Sequence, residues 1–177
     1  MTTPLVLTFV GRDRPGLVSA ISERVATAGG TWLESRLARL AGEFAGVVLV
    51  SAPDAKIEAL TDALRGLEAT GLRVTIAPTA ETAAPPTERL VKLAIVGRDR
   101  PGIVRDVTQA LTRLGVNIEE FESGVEGEPF TGAEMFHAAL RLRLPDGLGL
   151  DELRRTLERL AAEIMVDLSV GEGEPVG

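Results

Sequence analysis

The residues best placed to do chemistry come as two near-identical heptapeptides, Val10-Gly11-Arg12-Asp13-Arg14-Pro15-Gly16 and Val96-Gly97-Arg98-Asp99-Arg100-Pro101-Gly102. Each lies between an apolar alternating run and an apolar helical run, at a strand-to-helix turn. Glycine permits a tight turn, and proline suits the first helical turn. Aspartate can accept backbone N–H groups, and the last glycine leaves space beside the helix N-terminus. Unpaired amides and the helix dipole there favour an anion, such as the carboxylate of a small ligand. The same residues can also shape a turn and cap a helix with no ligand at all. Arg12/Arg98 and Arg14/Arg100, which a turn does not require, weigh toward binding, although recent duplication also accounts for the identity.

Other chemistry is sparse. His137 is the only histidine, so a Ser-His-Asp set can form only around it, and no nucleophile-elbow sequence accompanies it. Its alternation with Phe136, Ala138, Leu140 and Leu142 puts it on a strand face shared with Arg141 and Arg143, as expected of a polar sheet face or an interface. The carboxylates have neither calcium-loop spacing nor histidine partners, so no metal site is expected. Gly171-Glu172-Gly173 has no helix after it and does not read as a phosphate cradle. No cofactor and no catalytic residue is expected.

The elements that must position the heptapeptides repeat with them. At an offset of 86 residues, Leu17, Val18, Ile21, Val25 and Ala28 fall on Ile103, Val104, Val107, Leu111 and Leu114, an apolar helical stripe. Leu5/Leu7/Phe9 and Val91/Leu93/Ile95 alternate as first strands. Gly29-Gly30 and Gly115 stop the helices. Hairpins follow over about Trp32–Leu40 with Gly46–Ser51, and Ile118–Ser123 with Glu134–Leu144. Next come the helical stripes Ile57/Leu60/Leu64/Leu67 and Leu150/Leu153/Leu157/Leu160, then final strands Leu72/Val74/Ile76 and Val166/Leu168/Val170.

Each half reads β-α-β-β-α-β, which predicts an α+β, ferredoxin-like unit with an antiparallel four-stranded sheet and both helices on one face. The expected division is a first domain over 1–80, a linker over 81–88, a second domain over 89–171 and a flexible tail over 172–177, with Gly171 at its margin. The two units are expected to pack as a pseudo-dimer, and the chain to form a homodimer. The second hairpin gains about six residues around Ser123–Gly132, either a lid or a tolerated insertion.

Composition bounds the partners. The chain has 177 residues, 45% of them apolar, and no cysteine. It has no apolar run near the roughly 20 residues a membrane helix needs, and its first residues do not read as a secretory signal. A cytoplasmic location without membrane contact is expected. The net charge of −7 lies almost wholly beyond residue 80, where 11 basic side chains face 18 acidic ones. Nucleic-acid binding draws on clustered Lys and Arg, so direct binding is not expected.

The Asp-x-Pro-Gly-aliphatic turns Asp13-Arg14-Pro15-Gly16-Leu17 and Asp99-Arg100-Pro101-Gly102-Ile103, set in two such units, resemble those of tandem ACT-domain proteins. With Glu34-Ser35-Arg36-Leu37-Ala38-Arg39-Leu40 and Glu43-Phe44 they are similar, more narrowly, to the glycine cleavage system transcriptional repressor family. The resemblance covers about residues 4–171. It implies a regulatory module that binds an amino acid where domains meet, and control of transcription through a DNA-binding protein partner. In the family pattern an Asn opens the second strand. Asn117, before Ile118, matches it, whereas the first repeat has Thr31-Trp32, with Trp32 open to a packing role.

The resemblance places the first-choice amino-acid site at Arg98, Asp99, Arg100, Pro101, Gly102 and Ile103 with Asn117 and Ile118. The second choice is Arg12, Asp13, Arg14, Pro15, Gly16 and Leu17. The expected function is amino-acid sensing without enzymatic activity, with glycine the suspected ligand and a transcription factor the partner. The alternative is a regulatory subunit of an amino-acid biosynthetic enzyme, with that enzyme as partner. An enzyme with an unrecognised site is a third class, disfavoured by the lone histidine and missing cysteines.

Overall fold

The computed structural model describes residues 1–79, 89–128 and 132–172. The expected linker, the tail from 173 onward and the middle of the long loop, 129–131, lie outside the described residues. The contact pattern divides the chain into two units, Met1–Ala84 and Pro85–Gly177.

In the first unit, β1 (Thr2–Arg12), β2 (Thr31–Leu40), β3 (Glu43–Pro53) and β4 (Leu72–Pro78) form an antiparallel sheet in the order β2-β3-β1-β4. Two helices, α1 (Leu17–Thr27) and α2 (Ile57–Arg65), cross over between strands. The alternation read from the sequence is physical: Leu5, Leu7 and Phe9 of β1 are buried, while Val6, Thr8 and Val10 point to the other face. Leu17, Ile21 and Val25 form the buried stripe of α1 and pack with Leu60 and Leu64 of α2 into the same core. Trp32 is half-buried against this core, which gives it the packing role.

The second unit repeats the plan. β5 (Arg89–Arg98), β6 (Asn117–Gly127), β7 (Glu134–Leu144) and β8 (Val166–Glu172) order as β6-β7-β5-β8, with α3 (Ile103–Arg113) and α4 (Leu150–Ile164). Its own core joins Leu93, Ile95, Ile103, Val107, Leu111, Leu140, Leu142, Leu153 and Leu157. Gly29 and Gly115, just past α1 and α3, take positive φ of 71° and 68°, the left-handed stop that glycine adopts without penalty.

Three details differ from expectation. The first three heptapeptide residues belong to the strands, since β1 runs through Arg12 and β5 through Arg98. Gly11 and Gly97 are therefore not turn glycines; they allow a close crossing. A Cβ on Gly11 would lie 2.7 Å from the Gly71 carbonyl oxygen, and one on Gly97 would lie 2.9 Å from the Val166 Cβ. The last strand pairs through Glu172 with Val91, so Gly171 and Glu172 are sheet residues rather than tail. Finally, both second strands carry a register shift at equivalent places, Trp32/Glu34 and Ile118/Glu120. The second bulge turns consecutive acids, Glu119 and Glu120, toward Arg143 and Arg141, giving ion pairs of 2.9 Å each.

A candidate carboxylate site at the strand-to-helix turn

The turn residues are Asp13–Gly16 in the first unit and Asp99–Gly102 in the second. Two backbone features build both in the same way. The Asp13 N–H donates to the Gly42 carbonyl at 2.9 Å and the Asp99 N–H to the Glu134 carbonyl at 2.8 Å, tying each turn to the end of its hairpin. Gly16 and Gly102 then stand at the helix N-cap with φ of 92° and 93°, a left-handed backbone that strains any other residue. No side chain caps either helix. Asp13 and Asp99 thus do not accept from the first-turn amides, contrary to the capping role their position allowed. Asp13 accepts instead from Arg39 Nε at 2.6 Å.

The two turns diverge in what fills them. In the first unit Arg14 swings away, donating from Nη2 to the Thr70 carbonyl at 2.9 Å. A Cβ built on Gly16 meets nothing within 4 Å, so the space beside the start of α1 is open. In the second unit Arg100 Nη2 donates to Asp106 Oδ2 at 2.7 Å, while Arg105 donates from Nη2 and Nε to Asp106 Oδ1 at 2.9 and 3.1 Å. The Arg105 guanidinium lies across Gly102, whose Cβ would sit 3.2 Å from Nη2. Hydrogen bonds from Arg100 first and Arg105 second hold the Asp106 carboxyl below the usual aspartate range.

The expected site residues are only partly brought together. Arg98–Ile103 are contiguous at one end of the second sheet, with Arg12–Leu17 in the same place in the first. Asn117 and Ile118 are not near them within the unit. Asn117 pairs with Arg143, which pairs with Leu90, whereas Arg98 pairs with Met135 at the far end of β5. Eight residues at about 3.3 Å each separate the two ends by about 26 Å. Asn117 is also exposed and donates to Glu119 Oε1 at 2.6 Å. Sequence reasoning passed over Arg105 and Asp106. The signal available was their place in the repeat, where Ser19 and Ala20 stand in the first copy.

His137 is exposed and lies against Gly124 on the neighbouring strand, where a Cβ would come within 2.7 Å of its ring. Among the described residues no group of three His, Asp or Glu side chains is placed to hold a metal ion, and no helix is long and apolar enough to cross a membrane.

Comparison with known proteins agrees with this plan. The ACT domain model matches residues 3–76 in one form and residues 91–162 in another. The chain is 26% identical over 168 residues to the glycine cleavage system transcriptional repressor of Escherichia coli K12, covering 94% of this chain and 88% of that one. It is 29% identical over 170 residues to phosphoserine phosphatase SerB2 of Mycobacterium tuberculosis, covering 94% of this chain but only 40% of that enzyme. An unknown protein from Galdieria sulphuraria has a solved structure that superposes with a TM-score of 0.87 at 30% identity, covering 98% of this chain and all of that one. A structure provisionally assigned as a glycine cleavage system transcriptional repressor superposes at 0.75 and 23% identity, covering 99% of each chain. Two matched domains, each folded as β-α-β-β-α-β around its own core, place this chain in the ACT-domain family.

Proposed function

We propose that this chain is an amino-acid-sensing regulator that controls transcription of glycine cleavage genes through a DNA-binding protein partner. The observation that carries the reading is the relation to the Escherichia coli repressor along 94% of the chain, spanning both ACT domains. The open first turn supports the sensing half of it. An uncapped helix start beside Gly16 presents first-turn amides and the positive end of the α1 dipole, which suit the carboxylate of a small amino acid. The net charge of −7 supports the partner half, since it disfavours direct contact with DNA phosphates. Glycine is the first ligand to test, because the relative's name ties that protein to glycine cleavage.

Deleting the gene in its host and measuring glycine cleavage transcripts with and without added glycine tests this reading. A regulator of this kind leaves transcripts raised and insensitive to glycine when it is absent. Transcripts that stay level and keep their glycine response contradict it. A second reading, the regulatory partner of an amino-acid enzyme, is favoured by the match of both units to part of SerB2. It predicts altered amino-acid pools with unchanged transcripts.

A further inference from the structure

Each sheet has one face under its helices and one face open, and the two open faces differ. On the central strands β1 and β3 of the first unit, the open face pairs Val6 with Leu49, Thr8 with Val47 and Val10 with Ala45. Five of these six residues are apolar, and none of the five belongs to the first core. Val47 is 48% exposed and the other four are partly exposed. At the same register the second unit pairs Lys92 with Arg141, Ala94 with Ala139 and Val96 with His137, and Arg141 is tied to Glu120 at 2.9 Å. The charged second face suits water. The first face instead keeps adjacent, not scattered, apolar side chains in solvent, on the side of an antiparallel sheet that alternation makes polar when water is its only neighbour.

Charged residues ring the apolar patch. Arg12 stands opposite Glu43 at one end, Glu34 and Arg36 pair at 3.0 Å along β2, and Arg73 stands beside Val10 on β4. An apolar centre inside a polar rim is the anatomy of a protein interface. The rim also bears on what covers it. Arg12 and Glu43 cancel, as do Glu34 and Arg36, and the first 80 residues carry 8 basic and 8 acidic side chains. Such a face has no field with which to select an oppositely charged partner, and it meets its own copy without repulsion. Its size is sufficient: four strands about 4.8 Å apart and about nine residues long give a footprint of about 600 Å² per copy, or about 1,200 Å² in total, above the roughly 1,000 Å² that a specific interface needs.

We propose that the open face of the first sheet is where a second copy of this chain docks, sheet against sheet, about a two-fold axis. The contact is isologous, with the same patch on both copies. When the axis runs along the strands, β4 of each copy lies over β2 of the other. The two Arg73 side chains then stand on opposite edges, and only the apolar centres meet, at the spacing of about 10 Å usual for stacked sheets. The homodimer expected from the sequence thereby acquires a surface, and the charged face of the second sheet takes no part in it. The inference is independent of the ligand and of the DNA-binding partner in the sensing reading.

The test is sedimentation equilibrium of the full chain over a range of concentrations. The mass of the wild type is expected to rise from 18.7 kDa toward twice that value as concentration increases. Val6→Lys and Leu49→Arg place on the first face the residues that the second unit carries at the same register, Lys92 and Arg141, so the fold should accept them, which far-UV circular dichroism checks. Each is expected to raise the dimer dissociation constant by about tenfold or more, and the double variant to remain a monomer. Lys92→Ala, on the second face, is expected to leave the association unchanged. A wild type that stays at the monomer mass up to about 1 mM, the weak end of measurable affinity, overturns the proposal and leaves the face to a different protein. A folded double variant that dimerises as the wild type does overturns it too, because self-association then uses another surface.

Discussion

At the scale of the residue, the heptapeptide glycines do different work, and the difference is measurable. Gly16 and Gly102 share a left-handed φ, so Gly16→Ala and Gly102→Ala should each cost about 1–2 kcal/mol of stability in urea unfolding. The Arg105 contact at Gly102 adds little, because the far end of a flexible side chain can move aside. Gly11→Ala meets the backbone carbonyl of Gly71 and should cost about 1–3 kcal/mol through overpacking. Asp106 adds a pH signature. Its pKa is lowered in the folded chain, so its stabilising effect is complete above the ordinary aspartate value of about 3.9 and is lost as pH falls through the lowered value. The stability gap between wild type and Asp106→Asn should therefore hold level between about pH 5 and 7 and shrink below about pH 4. A gap that grows on acidification would mean that Arg100 and Arg105 do not stabilise the carboxylate.

At the scale of the element, the helices owe their stability to buried stripes rather than to caps. Ile21 is fully buried in α1, so Ile21→Ala should cost about 2–5 kcal/mol. Val18, on the exposed flank of the same helix, should change stability by less than about 0.5 kcal/mol when replaced by alanine. These stripes, with the alternation of Leu5/Leu7/Phe9 and its repeat, made the fold legible in the sequence, because a period of 3.6 or 2 reports directly on which face is buried. The heptapeptide's location was legible for the same reason. The Asp106 contact was not, since Arg100 and Asp106 are six residues apart across a bend, a spacing that no regular element brings together. The distance from Asn117 to the turn was legible in principle, because the 11-residue α3, at about 1.5 Å per residue, carries the chain back toward the start of β5 before β6 opens.

At the scale of the whole molecule, the proposed function turns on net charge and on a protein partner. If this acidic chain works through another protein, as proposed, it should show no saturable binding to duplex DNA up to about 10⁻⁴ M at physiological salt by fluorescence anisotropy. If glycine changes the affinity for that partner, the partner must change the affinity for glycine by the same factor, about 5–150-fold for typical couplings. The central claim, however, is that the chain binds an amino acid at one of its two turns, and calorimetric titration with glycine, followed by the other amino acids, tests it most directly. The account predicts a saturable heat for one amino acid with the wild-type chain. Heats of dilution alone for every amino acid would contradict it.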